Sequence, residues 1–344
     1  MNGKAGTVQM KEQKRKTTPF RIKLLASILL LLIVFLLAMK LGAAHTSWRD
    51  VWLSFTGSKQ QSALILKEIR MPREIGALAV GAALAVSGAI MQGMTRNPLA
   101  DPGLLGLTAG ANAALAITLA LVPAVNYFGI MIACFIGSAV GALLVFGIAS
   151  AKRGGFAPIR LVLAGAAVST FLFAIAEGVG LYFKISKDVS MWTAGGLIGT
   201  AWGQLQVIVP VILAGIFIAI LLSRQLTLLS LNEEVAIGLG QNTFKVKVIL
   251  FLIIILLAGA AVALVGNLVF VGLMIPHIVR AFVGTDYRFI IPVSVVIGGS
   301  FMLLADILSR TLQAPFETPV AALIAIIGLP FFLVIVRKGG RAFS

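Results

Sequence analysis

Long apolar runs constrain this chain more than any other feature. By hydropathy they fall at 24–42, 74–94, 104–122, 128–150, 159–181, 205–223, 246–265, 267–283, 289–309 and 319–336. A membrane-crossing helix needs about 20 apolar residues, because a lipid core offers the backbone no water to bond. The stretch 246–283 is divided at Gly266-Asn267, since 38 mostly apolar residues exceed one crossing and Gly-Asn forms a turn. The pattern predicts an all-α polytopic membrane protein with about ten transmembrane helices. Composition agrees: 59% of the 344 residues are hydrophobic and 12% charged, against about a quarter charged in soluble domains. The mean hydropathy is +1.05.

The chain divides into a basic segment, 1–23, a membrane domain, 24–338, and a short tail, 339–344. Within the membrane domain lies a polar, amphipathic segment, 224–245. The net charge of +16 raises nucleic acid as a partner. Its concentration in the head, directly before an apolar run, instead matches a cytoplasmic anchor, and no nucleic-acid partner is expected. An even number of spans puts both termini on one side. With that side inside, 19 of the 28 Lys and Arg residues fall inside and 9 outside, as the positive-inside rule requires. The expected location is the cytoplasmic membrane, multi-pass, with both termini cytoplasmic.

Several features have plain explanations. All four tryptophans, Trp48, Trp52, Trp192 and Trp202, fall in two outside segments, 43–73 and 182–204, where an amphipathic ring suits the membrane interface. Cys134 is the one cysteine and sits in an apolar run, while His45 and His277 are far apart. A disulfide within the chain is excluded, a metal site is not expected, and no cofactor is implied. Gly81, Ala85, Ala89 and Gly93 recur every four residues, a stripe that lets helix backbones approach closely. Glu177, Asp306 and Glu317 are embedded near outer span ends, where water is expected to reach them. There is no GxxxxGK[ST] phosphate loop and no nucleophile–base pair, so no enzymatic activity of its own is expected.

Three stretches carry more. In 231-LNEEVAIGLG-240, Asn232 can cap a helix whose first turn holds Glu233 and Glu234, where carboxylates favour the positive helix end. Leu231, Val235 and Leu239 share one face at four-residue spacing, and Gly238 and Gly240 end the helix. Such a helix either docks a partner or lies flat in the headgroups. Arg70 and Arg73 flank Pro72 at the outer mouth of the second span, and Arg310 follows Asp306 by four residues; taken singly, each reads as a snorkelling arginine. The loop 97-NPLADPG-103 is stiffened by two prolines.

In order along the chain, 70-RMPR-73, 81-GAALAVSGAIMQ-92, 96-RNPLADPGLLG-106, 232-NEEVAIGLG-240, 270-FVGLMIPHIVR-280, 305-ADILSR-310 and 317-ETPVAALIAIIGLPFF-332 resemble the FecCD, or vitamin B12 permease-like, family. The resemblance runs from about residue 20 to 338. It implies a type II ABC importer permease for iron–siderophore complexes, with haem or vitamin B12 as alternative cargoes. It also implies cytoplasmic ABC ATPase subunits, a second permease chain, identical or related, and an extracellular, periplasmic or lipid-anchored solute-binding protein. Asn232, Glu233, Glu234, Val235, Leu239 and Gly240 then match a coupling helix that seats in the ATPase. Arg70, Arg73 and Arg310 match residues that receive the binding protein's carboxylates, and Asn97 and Leu99 become candidates for a cytoplasmic gate. The competing reading is a secondary transporter driven by an ion gradient, which predicts charges at the membrane midplane.

Overall fold

The computed structural model describes residues 19–42, 46–56, 60–122, 124–151 and 158–339. The basic head up to residue 18, the tail from residue 340 and His45 lie outside the described residues. In chain order the helices are α1 (Phe20–Lys40), α2 (Trp48–Phe55), α3 (Gln61–Ile65), α4 (Met71–Thr95) and α5 (Leu107–Leu121). Next come α6 (Tyr127–Ser150), α7 (Pro158–Tyr182), α8 (Ser186–Thr193), α9 (Trp202–Leu221) and α10 (Ser223–Leu231). The last five are α11 (Glu233–Gly238), α12 (Thr243–Val265), α13 (Val271–Val283), α14 (Tyr287–Thr311) and α15 (Val320–Gly339). A π turn at Leu66–Arg70 fuses α3 to α4.

Among the described residues, eight helical segments are long and apolar enough to cross a membrane, and α5 and α13 are shorter apolar helices. Each of the ten matches a hydropathy run to within four residues at either end. The division at Gly266-Asn267 is present: α12 ends at Val265, and Gly266 leaves it with φ 75°, a left-handed conformation that glycine adopts without a side-chain clash. The chain is a multi-pass membrane protein.

Helix α4 is the axis of the bundle. It is buried along almost its whole length and packs most extensively on α14, then on α12, α13 and α9. Its small-residue stripe is what permits this. A Cβ on Gly81 would stand 2.2 Å from the Gly298 carbonyl oxygen of α14, so the two helices touch backbone to backbone. Close contact of this kind stabilises helices in lipid, where apolar burial between them adds little. Around this centre α1, α6, α7 and α15 turn long side chains such as Leu25, Ile136, Leu163 and Leu333 outward, as lipid-facing helices do.

The bundle has two ends. One carries the 96–106 loop, α10 and α11; the opposite one carries α2, α3 and α8. At the α2 end the tryptophans sit at the rim, and the Trp202 indole N–H donates to the Lys67 carbonyl (3.2 Å). Helix α2 begins in a capping box, in which the Asp50 N–H donates to Ser47 Oγ (3.2 Å) and the Ser47 N–H to Asp50 Oδ2 (2.8 Å). Ser62 Oγ also donates to Asp50 Oδ1 (2.7 Å), tying α2 to α3. These bonds, the Ser47 side chain foremost, lower the Asp50 pKa from 3.8 to about 2. A depressed carboxylate contributes stability above its unfolded pKa and loses it as pH falls through the folded value. Amide-exchange protection of segment 46–56, corrected for the intrinsic rate at each pH, is therefore expected to hold down to about pH 4 and to fall toward pH 2. In Asp50→Asn that loss is expected to be absent; an unchanged profile would refute the capping role.

Candidate functional site

At the α2 end the three sequence-predicted arginines come together in a buried charge network. Asp306 and Arg310 lie one turn apart on α14, with Arg310 Nε 3.4 Å from Asp306 Oδ2, the i,i+4 pair that the spacing predicts. Arg73, in the first turn of α4, donates from Nε and Nη2 to Asp306 Oδ1 (3.0 and 2.8 Å). It also donates from Nη1 and Nη2 to Glu317 (2.7 and 2.9 Å). Arg310 Nη2 pairs with Glu74 of α4 and donates to the Ala38 carbonyl (2.9 Å). Arg70 Nη1 donates to the Met39 and Lys40 carbonyls (2.8 and 3.1 Å) and to Thr46 Oγ1 (2.9 Å). Two arginines thus satisfy carbonyls in the last turn of α1, which have no helical partner. Three positive and three negative groups clasp α1, α4 and α14.

This corrects the sequence reading in two respects. Asp306 is fully buried rather than reached by water. The arginines are not open guanidiniums: Arg70 is 6% exposed and Arg310 4%. Glu74 was missed altogether. Its position four residues after Arg70 was the available signal, but its partner Arg310 lies 236 residues away.

At the other end, α11 forms as expected. The Asn232 side chain accepts the Glu234 N–H (3.0 Å), both glutamates occupy the first turn, and α11 closes at Gly238 with Gly240 at φ 80°. A separate helix, α10, precedes it, which the sequence reading did not include. Asn232 is extended (φ −158°, ψ 141°), so Leu231 ends α10, although Leu231, Val235 and Leu239 are all exposed, joined by Ile237 and Phe244. Helix α10 is the footing: Leu226 and Leu229 are buried, and Thr227 Oγ1 accepts the Tyr287 N–H (3.0 Å) of α14. Glu233 bonds the nearly buried Lys247 Nζ of α12 (2.6 Å), and that bond lowers the Glu233 pKa. Glu234 stays exposed.

The 96–106 loop turns at Arg96 (φ 53°). Asn97 Oδ1 accepts the Leu99 N–H (2.9 Å), and Asp101 Oδ1 the Gly103 N–H (2.7 Å). Leu99 lines a cavity of about 490 Å³ walled by apolar residues including Leu104, Val269, Phe270, Leu273 and Phe332. A second cavity of about 530 Å³ lies toward α8 and shares Phe173 and Asn267 with the first. Beside them Arg280 Nη2 donates to Gln92 Oε1 (2.6 Å), whose amide donates to the Gly272 and Leu273 carbonyls (3.3 and 3.2 Å).

A bundle of membrane-crossing helices with two cavities in tandem, a clasp at one end and a capped amphipathic helix at the other, defines a multi-pass transport subunit. The family profile of the FecCD transport family matches residues 30–338, and the chain belongs to that family. It is 43% identical over 322 residues to the iron(3+)-hydroxamate import system permease protein FhuB of Bacillus subtilis (strain 168), covering 93% of this chain and 84% of that one. It is 39% identical over 320 residues to the hemin transport system permease protein HmuU of Yersinia pestis, covering 90% and 94%. Among solved structures, a metal-chelate type ABC transporter in an inward-facing conformation superposes with a TM-score of 0.82 at 27% identity. That match covers 92% of this chain and 99% of the other.

Proposed function

We propose that this chain is the permease of an ATP-binding-cassette importer that carries a ferric siderophore across the cytoplasmic membrane, paired with a second permease chain. Membership of the FecCD family supports the importer class. The hydroxamate-importing relative supports a ferric-chelate cargo, with haem or vitamin B12 as alternatives. The charge ledger supports the orientation, with α11 in the cytoplasm. The sequence holds no phosphate loop, which supports a separate ATPase subunit as the driver.

The observation that carries coupling is α11: a capped helix held to α12 through Glu233–Lys247, with Glu234, Val235 and Leu239 left facing outward. Asn232 and Gly240 define its ends, and Leu239 is the apolar contact an ATPase cleft would take. Leu99, at the wall of the inner cavity, and Asn97, which pins its turn, are the gate pair. At the opposite end Arg73, whose partner Glu317 is partly exposed, is the arginine that can exchange an internal carboxylate for one on a solute-binding protein. Arg70 and Arg310 hold the surface beneath it. The ion-gradient alternative predicts charges at the membrane midplane, whereas Glu74 and Asp306 belong to the clasp at the α2 end.

Because Glu233 anchors α11 internally, the test uses Glu234→Arg with Leu239→Asp, both at exposed positions. Membrane insertion is expected to be unchanged while ATP-dependent ferric-siderophore uptake and ATPase co-purification fall about tenfold or more, as when an interface anchor is lost. Normal uptake would remove α11 from the ATPase contact. Uptake that survives ATP depletion but not collapse of the proton gradient would overturn the importer class.

A further inference from the structure

We propose that the 530 Å³ cavity is a cargo subsite that selects ferric chelates by charge, admitting neutral or cationic chelates with outward N–H donors and refusing polyanionic ones. The proposal rests on the importer reading and adds the substrate class to it.

The walls carry the argument. The cavity lies between α5, α7 and α8 and is of a size that holds a small organic ligand. Asn112 of α5 is 6% exposed, and its Oδ1 is buried with no hydrogen-bond partner. A buried, unpaired amide oxygen on a cavity wall is a group that a ligand donor completes. Glu177 of α7 lines the same space and is exposed, and it has no ion-pair partner among the described residues. Thr193 of α8 also lines the cavity and gives its hydroxyl proton to the Ser190 carbonyl (3.0 Å), so toward a ligand its oxygen is left as an acceptor. Among the described residues of this chain, the lining holds one carboxylate and neither arginine nor lysine; Lys184 and Lys187 lie outside it. The site therefore offers hydrogen-bond acceptors and one negative charge, beside the hydroxyls of Ser186 and Ser190 and the amide of Asn267, which can donate as well as accept.

The adjoining chamber points the same way. It shares Phe173 and Asn267 with the first and is predominantly apolar; the ionisable group among its described lining residues is Asp101, which accepts the Gly103 N–H. A chelate bearing several negative charges would meet like charge in the first chamber and lose its hydration in the second, and no arginine or lysine among the described residues of this chain lines either to compensate. A neutral or cationic chelate meets neither obstacle.

The test compares Glu177→Lys, Glu177→Gln and Asn112→Leu with the parent in whole cells carrying the complete importer. Uptake of radiolabelled iron is measured on ferrioxamine B (cationic), ferrichrome (neutral), ferric citrate and a ferric tris-catecholate (both polyanionic), normalised to permease in the membrane. Glu177→Lys is expected to cut uptake of the cationic chelate about tenfold and of the neutral one much less, with Glu177→Gln between. Asn112→Leu is expected to raise KM several-fold for the neutral chelate by removing a hydrogen bond. Equal effects of Glu177→Lys on all chelates, or none, would overturn the charge-selection proposal. So would a parent that takes up only the polyanions, and both outcomes would leave the importer reading intact. A parent with no ATP-dependent uptake of any chelate would instead overturn the importer reading.

Discussion

Arg310→Leu is expected to strip most of the correctly folded permease from the membrane, and the double substitution Arg310→Leu/Glu74→Leu to restore much of it. Arg310 is the buried link between α14, α4 and α1: it holds Glu74, touches Asp306 and donates to the Ala38 carbonyl. Removing it leaves Glu74 fully buried and unpaired. Breaking one side of a buried ion pair costs roughly 3–5 kcal/mol, mostly from the stranded charge, whereas exchanging the whole pair for packed apolar groups is often nearly neutral. Asp306 keeps Arg73 in both variants, so it adds little to the difference. The α1 carbonyl loses its donor in both, which limits the recovery. The readout is the fraction of monodisperse permease in detergent and its thermal midpoint. A double variant no better than Arg310→Leu would show that the arginine acts through the α1 carbonyl and packing rather than through the Glu74 pair.

How much of this was legible in the sequence depends on distance along the chain. Properties set by neighbouring residues were readable: the ten apolar runs, the break at Gly266-Asn267, the Asn232 cap and the Asp306–Arg310 turn. Helix α10 was not, and Leu231, which keeps the four-residue spacing with Val235 and Leu239, belongs to it. Pairings across the bundle were hidden because the partners lie far apart in the chain. Arg73 read as a lone interfacial arginine because Asp306 and Glu317 arrive only when α4 meets α14. Glu177 read as a carboxylate near water, and it does face a cavity. That the orphaned Asn112 oxygen faces the same cavity follows from α5 lying beside α7, which no local spacing encodes. The small-residue stripe announced close packing on α4, and the partner glycine Gly298 became visible only in the fold.

The crossing of α4 and α13 yields the second large effect, and it is directional. A Cβ on Gly88 would lie 1.9 Å from the Gly272 carbonyl oxygen and 2.5 Å from the Gly272 Cα. These are backbone atoms, which cannot swing aside as a side chain does. A Cβ on Gly272 meets its nearest atom, the Leu84 carbonyl oxygen, at 3.0 Å, a contact relieved by a few tenths of an ångström. Gly88→Ala must therefore push α13 off α4, stretching the Gln92 bonds to the Gly272 and Leu273 carbonyls. Overpacking costs about 1–3 kcal/mol and occasionally more; Gly88→Ala belongs at or above the top of that range and Gly272→Ala near the bottom. The displacement would carry Phe270 and Leu273 with α13, and both line the inner cavity, so uptake is expected to fall even in the Gly88→Ala molecules that remain folded. Thermal midpoints of the two purified variants and chelate uptake per inserted molecule decide the matter. Equal destabilisation by the two alanines would mean that the backbone contact is not the constraint on this crossing.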